Sequence, residues 1–138
     1  MSPASDPSSA DSHRQAAPSV LRFAVTTISD TRQLEDDRSG QILVDALQAA
    51  GHVLTQRRIV PDEIDAIRAA VRQACAAGDS DVLLMTGGTG IAPRDRTPEA
   101  VQPLLETELP GFGEIFRMLS FEEVGPAAML SRAFAGRI

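Results

Sequence analysis

Strand, helix, strand, helix, strand, loop, helix is the order in which apolar patterns follow one another along this chain, and it predicts an α/β fold with a largely parallel sheet. Two further observations point the same way. Asp81–Thr86 (DVLLMT) is a short continuous apolar run, the pattern of a strand buried on both faces, and it leads directly into Gly87-Gly88-Thr89-Gly90. Glycines also stand where helices must end, at Gly51 and Gly78.

Residues 1–19 are rich in Ser, Pro, Ala and Asp and nearly lack large apolar side chains. Such a segment cannot bury enough surface to offset its conformational entropy, so a disordered tail is expected there, with the folded domain over 20–138. Leu21–Ile28 (LRFAVTTI) reads as a buried strand ending in Ser29-Asp30. After the acidic loop Leu34–Arg38, Ser39 is placed to cap a helix running to about Ala50, with Ile42, Leu43, Ala46, Leu47 and Ala50 as its apolar stripe. His52–Val60 is a second strand, closed by Pro61. Asp62 stands where an N-cap belongs, ahead of a helix whose Ile64, Ile67, Val71, Ala74 and Cys75 face inward. Cys75 on that stripe reads as a core residue. Thr97-Pro98 starts a further helix, Leu109-Pro110-Gly111 breaks the chain, and a last helix covers about Phe112–Glu123.

Composition narrows the function. At 138 residues the chain makes one domain with a real core. Net charge is −6 and all 13 basic residues are Arg, with no basic stretch to neutralise a nucleic-acid backbone. The absence of Lys removes any Schiff-base or Walker-type lysine. One Cys and two scattered His offer neither an internal disulfide nor zinc spacing. No apolar run approaches the ~20 residues that span a bilayer. With no signal-like leader either, a cytoplasmic protein is expected, with neither nucleic acid nor membrane as a partner.

In a parallel sheet the loops after the strands share one rim, which places Ser29-Asp30, Pro61-Asp62 and Gly87–Gly90 together. The densest signal is Thr86–Thr97, TGGTGIAPRDRT. Three glycines after a buried strand let successive N–H groups aim into one concavity, a nest for phosphate or carboxylate oxygens. No Gly-Lys-Ser/Thr follows, so it is not a Walker A loop, and Ala92-Pro93 break the dinucleotide fingerprint. Asp95 beside such a nest suits Mg²⁺, which takes carboxylate and phosphate oxygens; a solvated Asp paired with Arg94 or Arg96 is the alternative. Glu35-Asp36-Asp37 is equally readable as a solvated turn.

Taken in order, TGGTG with Arg94-Asp95 and Thr97-Pro98, ELPGFGE with Phe116-Arg117, and Ala128-Met129-Leu130-Ser131-Arg132 resemble the MoaB/Mog family of molybdenum cofactor biosynthesis proteins. The resemblance takes in Ser29-Asp30, Asp37-Ser39-Gly40 and Ile59–Glu63, and covers about Val20–Arg137. LEDDRSG and RRIVPDEIDAIR look more like the MoaB branch. The resemblance implies a three-layer α/β/α molybdopterin-binding fold. It implies molybdopterin as substrate, ATP as co-substrate and Mg²⁺ as cofactor, in an adenylyltransferase that prepares the pterin for metal insertion. Asp62 and Asp95 would be the catalytic, metal-holding pair. Ser29, Asp30, Thr86, Gly87, Gly88, Thr89, Gly90, Arg94, Thr97, Pro110, Gly111 and Ser131 would bind substrate. It also implies a homo-trimer or a hexamer of trimers, and other proteins of cofactor biosynthesis as partners.

Family members continue into a further strand, a Leu-Pro-Gly loop and a closing helix, whereas this sequence stops at Ile138; a sheet lacking that C-terminal strand and helix is therefore expected. Two other readings stay open: a pterin-binding protein that does not adenylylate, and a structural α/β domain whose glycine loop is only a turn. Independently of the resemblance, Leu109–Leu130 concentrates Phe112, Ile115, Phe116, Met118, Leu119, Phe121, Met129 and Leu130 on more than one helix face, which predicts a contact with another chain.

Overall fold

A computed structural model of the chain describes residues 8–138. Its elements are α1 (Ser9–Ala16), β1 (Arg22–Ile28), α2 (Arg38–Ala49), β2 (Val53–Val60), α3 (Ile64–Ala77), β3 (Val82–Thr86), α4 (Thr97–Val101), β4 (Thr107–Glu108), α5 (Pro110–Val124) and β5 (Gly136–Arg137). Strands β1, β2 and β3 form a parallel sheet in the order β2-β1-β3. β4 and β5 make a separate antiparallel pair.

Alternation along β1 divides the interior in two. Phe23 and Val25 pack on one face against Val44, Leu43 and Leu47 of α2. Ile28 packs on the other with Ile67 and Val71 of α3 and Ala100 and Val101 of α4. Two faces covered by helices make three layers, the α/β/α arrangement expected. On β2, Leu54 and Val60 have the same parity yet face opposite clusters. The reason is a bulge: Phe23 pairs Leu54 and Ala24 pairs Gln56, leaving Thr55 extra, and its hydroxyl donates to the Phe23 carbonyl at 3.2 Å. At the start of the sheet, hydrogen bonds from the Arg22 guanidinium and N–H grip Asp81 and hold its carboxyl down to about 2.

Several local expectations are corrected. Of the tail expected over 1–19, residues 1–7 lie outside the described residues, and Ser9–Ala16 is a helix capped by Ser8 with none of its residues buried. β3 is an edge strand of this sheet and only half-buried, because β1 alone has a strand on each side. Cys75 is exposed; the inner face of α3 is Ile67, Ala70, Val71 and Ala74. On α2, Ile42 points outward at 66% exposure, and Gly40 and Val44 are the buried positions.

The cap of α2 is Asp37, two residues before Ser39, and it is not a solvated residue. Its carboxylate is sealed from solvent between β1, β2 and α2. It accepts from the Thr27 hydroxyl (2.7 Å), the Gly40 N–H (3.1 Å) and Arg57 Nη2 (3.2 Å). Gly40 has no alternative here, since a Cβ would overlap Asp37 Oδ2. Burial alone would raise the acid's pKa; the hydrogen bonds from Thr27, Gly40 and Arg57, with the Arg57 charge, outweigh that and hold it below its ordinary value.

A group with a depressed folded pKa contributes stability above its unfolded pKa and loses it as pH falls through the folded one. Replacing Asp37 also leaves the half-buried Arg57 without its carboxylate partner. Asp37→Asn is therefore expected to cost about 3 kcal/mol in urea denaturation at pH 7, with the gap to the wild type closing below pH ~4. An equal gap at both pH values would remove the ionised carboxylate from the explanation.

Candidate functional site

All three parallel strands end on one edge, and the chain there reverses its lateral direction: β2 lies to one side of β1 and β3 to the other. Ligand crevices of open α/β sheets form at such a switch point, beyond the carboxyl ends of the strands. Gly87 begins the loop at φ +101°, so close to the Ile28 carbonyl that a Cβ would collide with it. Gly88 follows at φ +66°, where a Cβ would stand 3.1 Å from Asp62 Oδ2. A Cβ on Gly90 would stand 2.6 Å from Asp95 Oδ2. The loop thus passes directly over both carboxylates, and at Gly87 and Gly88 the positive φ demands glycine.

Four successive carbonyls of this loop are turned into the protein. Gly87 O accepts from the Thr97 hydroxyl at 2.8 Å and Gly88 O from the Thr97 N–H at 3.0 Å. Thr89 O accepts from the Arg132 N–H at 2.8 Å and Gly90 O from Arg132 Nε at 2.7 Å. In a trans peptide the N–H of the next residue points opposite to the carbonyl, and no peptide here is cis. The N–H groups of Thr89, Gly90 and Ile91 are therefore directed away from Thr97 and Arg132, and no acceptor among the described residues meets them.

Acidic groups gather beside them. Asp30 Oδ1 accepts the Asp62 N–H at 2.9 Å, and Asp30 Oδ2 pairs with Arg94 Nη2 at 3.1 Å. Asp62 Oδ1 accepts the N–H of Arg96 at 3.3 Å, which puts it against the peptide bond that follows Asp95. Asp95 Oδ2 accepts the Ala92 N–H at 3.0 Å. Asp62 is not the cap of α3 expected from its position: the cap is Glu63, without a side-chain bond, because the Asp62 carboxylate is drawn across to the Asp95–Arg96 segment. Burial raises the Asp62 pKa, and the charges of Asp30 and Asp95 raise it further, against the Arg96 N–H and Arg94. Burial beside two like charges disfavours the ionised carboxylate, so its charge gives the fold no gain.

The rim unites Asp30, Asp62, Gly87–Gly90, Arg94 and Asp95, as the strand order predicts. Thr86 ends β3 at its base, and Ser29 accepts the N–H groups of Thr31 and Arg32 within its own turn. Thr97 is buried, so it shapes the loop from beneath. Ser131 lies next to the rim only through its neighbour, its hydroxyl accepting the Ala133 N–H. Pro110 and Gly111 are exposed at the start of α5, and no hydrogen bond among the described residues joins them to the rim. Reading by element had missed Arg132 as a site residue. Its partners are 42 positions away at Gly90, and no local pattern announces so distant a contact. A cleft of about 430 Å³ lies alongside, lined by Ile91, Asp95, Arg96, Glu99 and Arg132 among others.

Residues 24–138 match the family described as "Probable molybdopterin binding domain". The chain belongs to this family. Molybdenum cofactor biosynthesis protein B of Bacillus subtilis (strain 168) is 50% identical over 131 residues, 94% of this chain and 77% of that protein. The protein of the same name from Escherichia coli (strain K12) is 50% identical over 115 residues, covering 83% and 68%. A crystal structure of molybdenum cofactor biosynthesis protein B superposes with a TM-score of 0.84 at 50% identity, over 88% of this chain and 76% of that one. The tungsten cofactor synthesizing protein MoaB from Pyrococcus furiosus gives 0.76 at 40% identity, over 87% and 74%.

The raised pKa of Asp62 has a measurable consequence. Its ionised form costs stability above the folded pKa, and the cost vanishes below the unfolded value near 4. Asp62→Asn keeps an oxygen for the Arg96 N–H and sheds the charge. A rise in Tm of about 1–3 °C is expected at pH 7.5, disappearing toward pH 4. A lower Tm at pH 7.5 would mean that the carboxylate serves the fold.

Proposed function

We propose that this chain acts in molybdenum cofactor biosynthesis, binding molybdopterin through its phosphate and adenylylating it with MgATP. The observation that carries the reading is the loop with its carbonyls tied inward, its free N–H groups outward, and Asp62 and Asp95 beneath it. Family membership supplies the pathway and the pterin. In the transfer, a phosphate oxygen of the pterin attacks the α-phosphorus of ATP, a new P–O bond forms, the α–β bond breaks and pyrophosphate leaves.

Such a transfer depends on in-line positioning and on neutralising charge more than on a strong base. The N–H groups of Thr89, Gly90 and Ile91 hold phosphate oxygens without adding a charged side chain. Arg94 contributes a cation at the same rim, kept there by Asp30. Mg²⁺ fits the donor set: Asp62 and Asp95 present hard oxygens, and only one oxygen of each is engaged by a backbone N–H. The residues that would hold it are those two, and the ion, when bound, offsets the charge of the phosphates. Among the described residues no third acid, His or Cys completes a protein-only metal site, which suits an ion whose other ligands come from nucleotide and water.

A titration with molybdopterin followed by an ATP-dependent adenylylation assay tests the proposal. Binding with turnover is expected. Asp95→Asn should lower turnover about a hundredfold or more while leaving pterin affinity within about threefold. Binding without turnover in the wild type would favour a carrier, and no binding would remove the pterin reading altogether.

We also propose assembly into a homo-trimer or a hexamer of trimers. Ile115, Met118, Leu119 and Phe121 of α5 are all more than half exposed, and Phe112 stacks on Phe116 beside them. Contiguous apolar surface of this kind marks a contact with another chain. Sedimentation velocity is expected to give a trimer or its double, and Ile115→Glu with Leu119→Glu to give smaller species. A wild-type monomer at micromolar concentration would refute assembly.

A further inference from the structure

We infer that Arg132 is the positioning residue of this site, setting both the phosphate loop and the Asp62 carboxylate without touching the ligand of either. The inference rests on the phosphate-binding reading above and extends it to how the geometry is held. Glycine peptides have little preference between a plane and its flipped counterpart, so the segment Gly88–Ile91 could present either N–H or C=O to the ligand side. A carbonyl aimed at a phosphate repels it. Something must fix the planes, and Arg132 fixes two of them together with the Asp95–Arg96 plane.

The Arg132 N–H takes the Thr89 carbonyl at 2.8 Å, which orients the N–H of Gly90. Its Nε takes the Gly90 carbonyl at 2.7 Å, which orients the N–H of Ile91. Its Nη2 takes the Asp95 carbonyl at 2.8 Å, and the other end of that peptide is the Arg96 N–H that donates to Asp62 Oδ1. Nη1 is anchored on Glu99 of α4. One planar fork therefore aligns one donor of the loop, the Ile91 N–H, and the one donor that orients Asp62, while the Arg132 backbone N–H aligns that of Gly90. An ammonium, a point charge with no fork, cannot reach all of these acceptors. Thr97 does the same work for the Gly87 and Gly88 carbonyls, but has no link to the Asp95–Arg96 plane.

The test compares the wild type with Arg132→Ala and Arg132→Lys by amide NMR, with inorganic pyrophosphate and Mg²⁺ as probe. In Arg132→Ala, which keeps the backbone bond to Thr89, the amide signals of Ile91 and Arg96 are expected to move and exchange faster, while those of β1 stay in place. Pyrophosphate affinity should fall by about tenfold or more, the scale of losing charge-assisted hydrogen bonds. Guanidinium chloride at tens of millimolar should restore much of it, which a merely space-filling role would not allow. Arg132→Lys should be intermediate, and is read in its place if Arg132→Ala does not fold. Unmoved loop amides in a folded variant, or wild-type affinity in Arg132→Ala, would overturn the inference. Failure of the wild type to bind pyrophosphate would instead strike at the phosphate reading, while the amide comparison still decides whether Arg132 holds the loop.

Discussion

A central strand buried on both faces is the constraint from which the rest of this molecule follows. β1 must have a strand on each side to satisfy its backbone groups and helices on both faces to cover Phe23, Val25 and Ile28. A chain that meets both demands with parallel strands has to cross from one side of β1 to the other, and that crossing leaves a crevice at the carboxyl ends. The glycine loop enters the crevice where Gly87 meets the Ile28 carbonyl, the last residue of that same strand. Fold and site are thus set by one arrangement.

Within the crevice the deciding quantity is the orientation of peptide planes. A loop built of glycine is free to approach the acids beneath it, and for the same reason is free to turn the wrong way. Thr97 from the start of α4 and Arg132 from the far end of the chain remove that freedom by engaging four carbonyls in succession. Conformational permissiveness gives the close approach, and long-range hydrogen bonds restore definition. Neither would suffice alone.

Two buried or half-buried acids illustrate opposite uses of a carboxylate. Asp37 is fully enclosed, yet three donors keep its pKa down, and it ties β1, α2 and β2 together. Asp62 is less enclosed, yet its burial, countered by one backbone donor and reinforced by two acidic neighbours, drives its pKa up. The first has its charge matched by donors; the second has more burial and like charge around it than its one donor offsets. Their local sequences, a carboxylate ahead of a helix in each case, give no hint of the difference. The exposed apolar face of α5 carries a comparable imbalance in hydrophobic terms.

Strand and helix order, the glycine density after β3 and the gathering of Ser29-Asp30, Pro61-Asp62 and Gly87–Gly90 on one rim were legible in the sequence, because they follow from period, punctuation and the parallel topology. What was misread shares one cause. Capping by Ser39 and Asp62 and burial of β3 are inferences from neighbours in sequence, and each was overruled by partners distant in it. Asp37 is drawn toward Arg57, Asp62 toward Arg96, and β3 has a neighbour on one side only. Arg132 marks the limit most clearly: its residue type and its motif were visible, but its role lies in three carbonyls 37 to 43 positions away. Sequence by itself determined which residues could do chemistry and on which edge. Only the tertiary structure decided which way their hydrogen bonds point, because a bond's direction depends on where both of its ends are held.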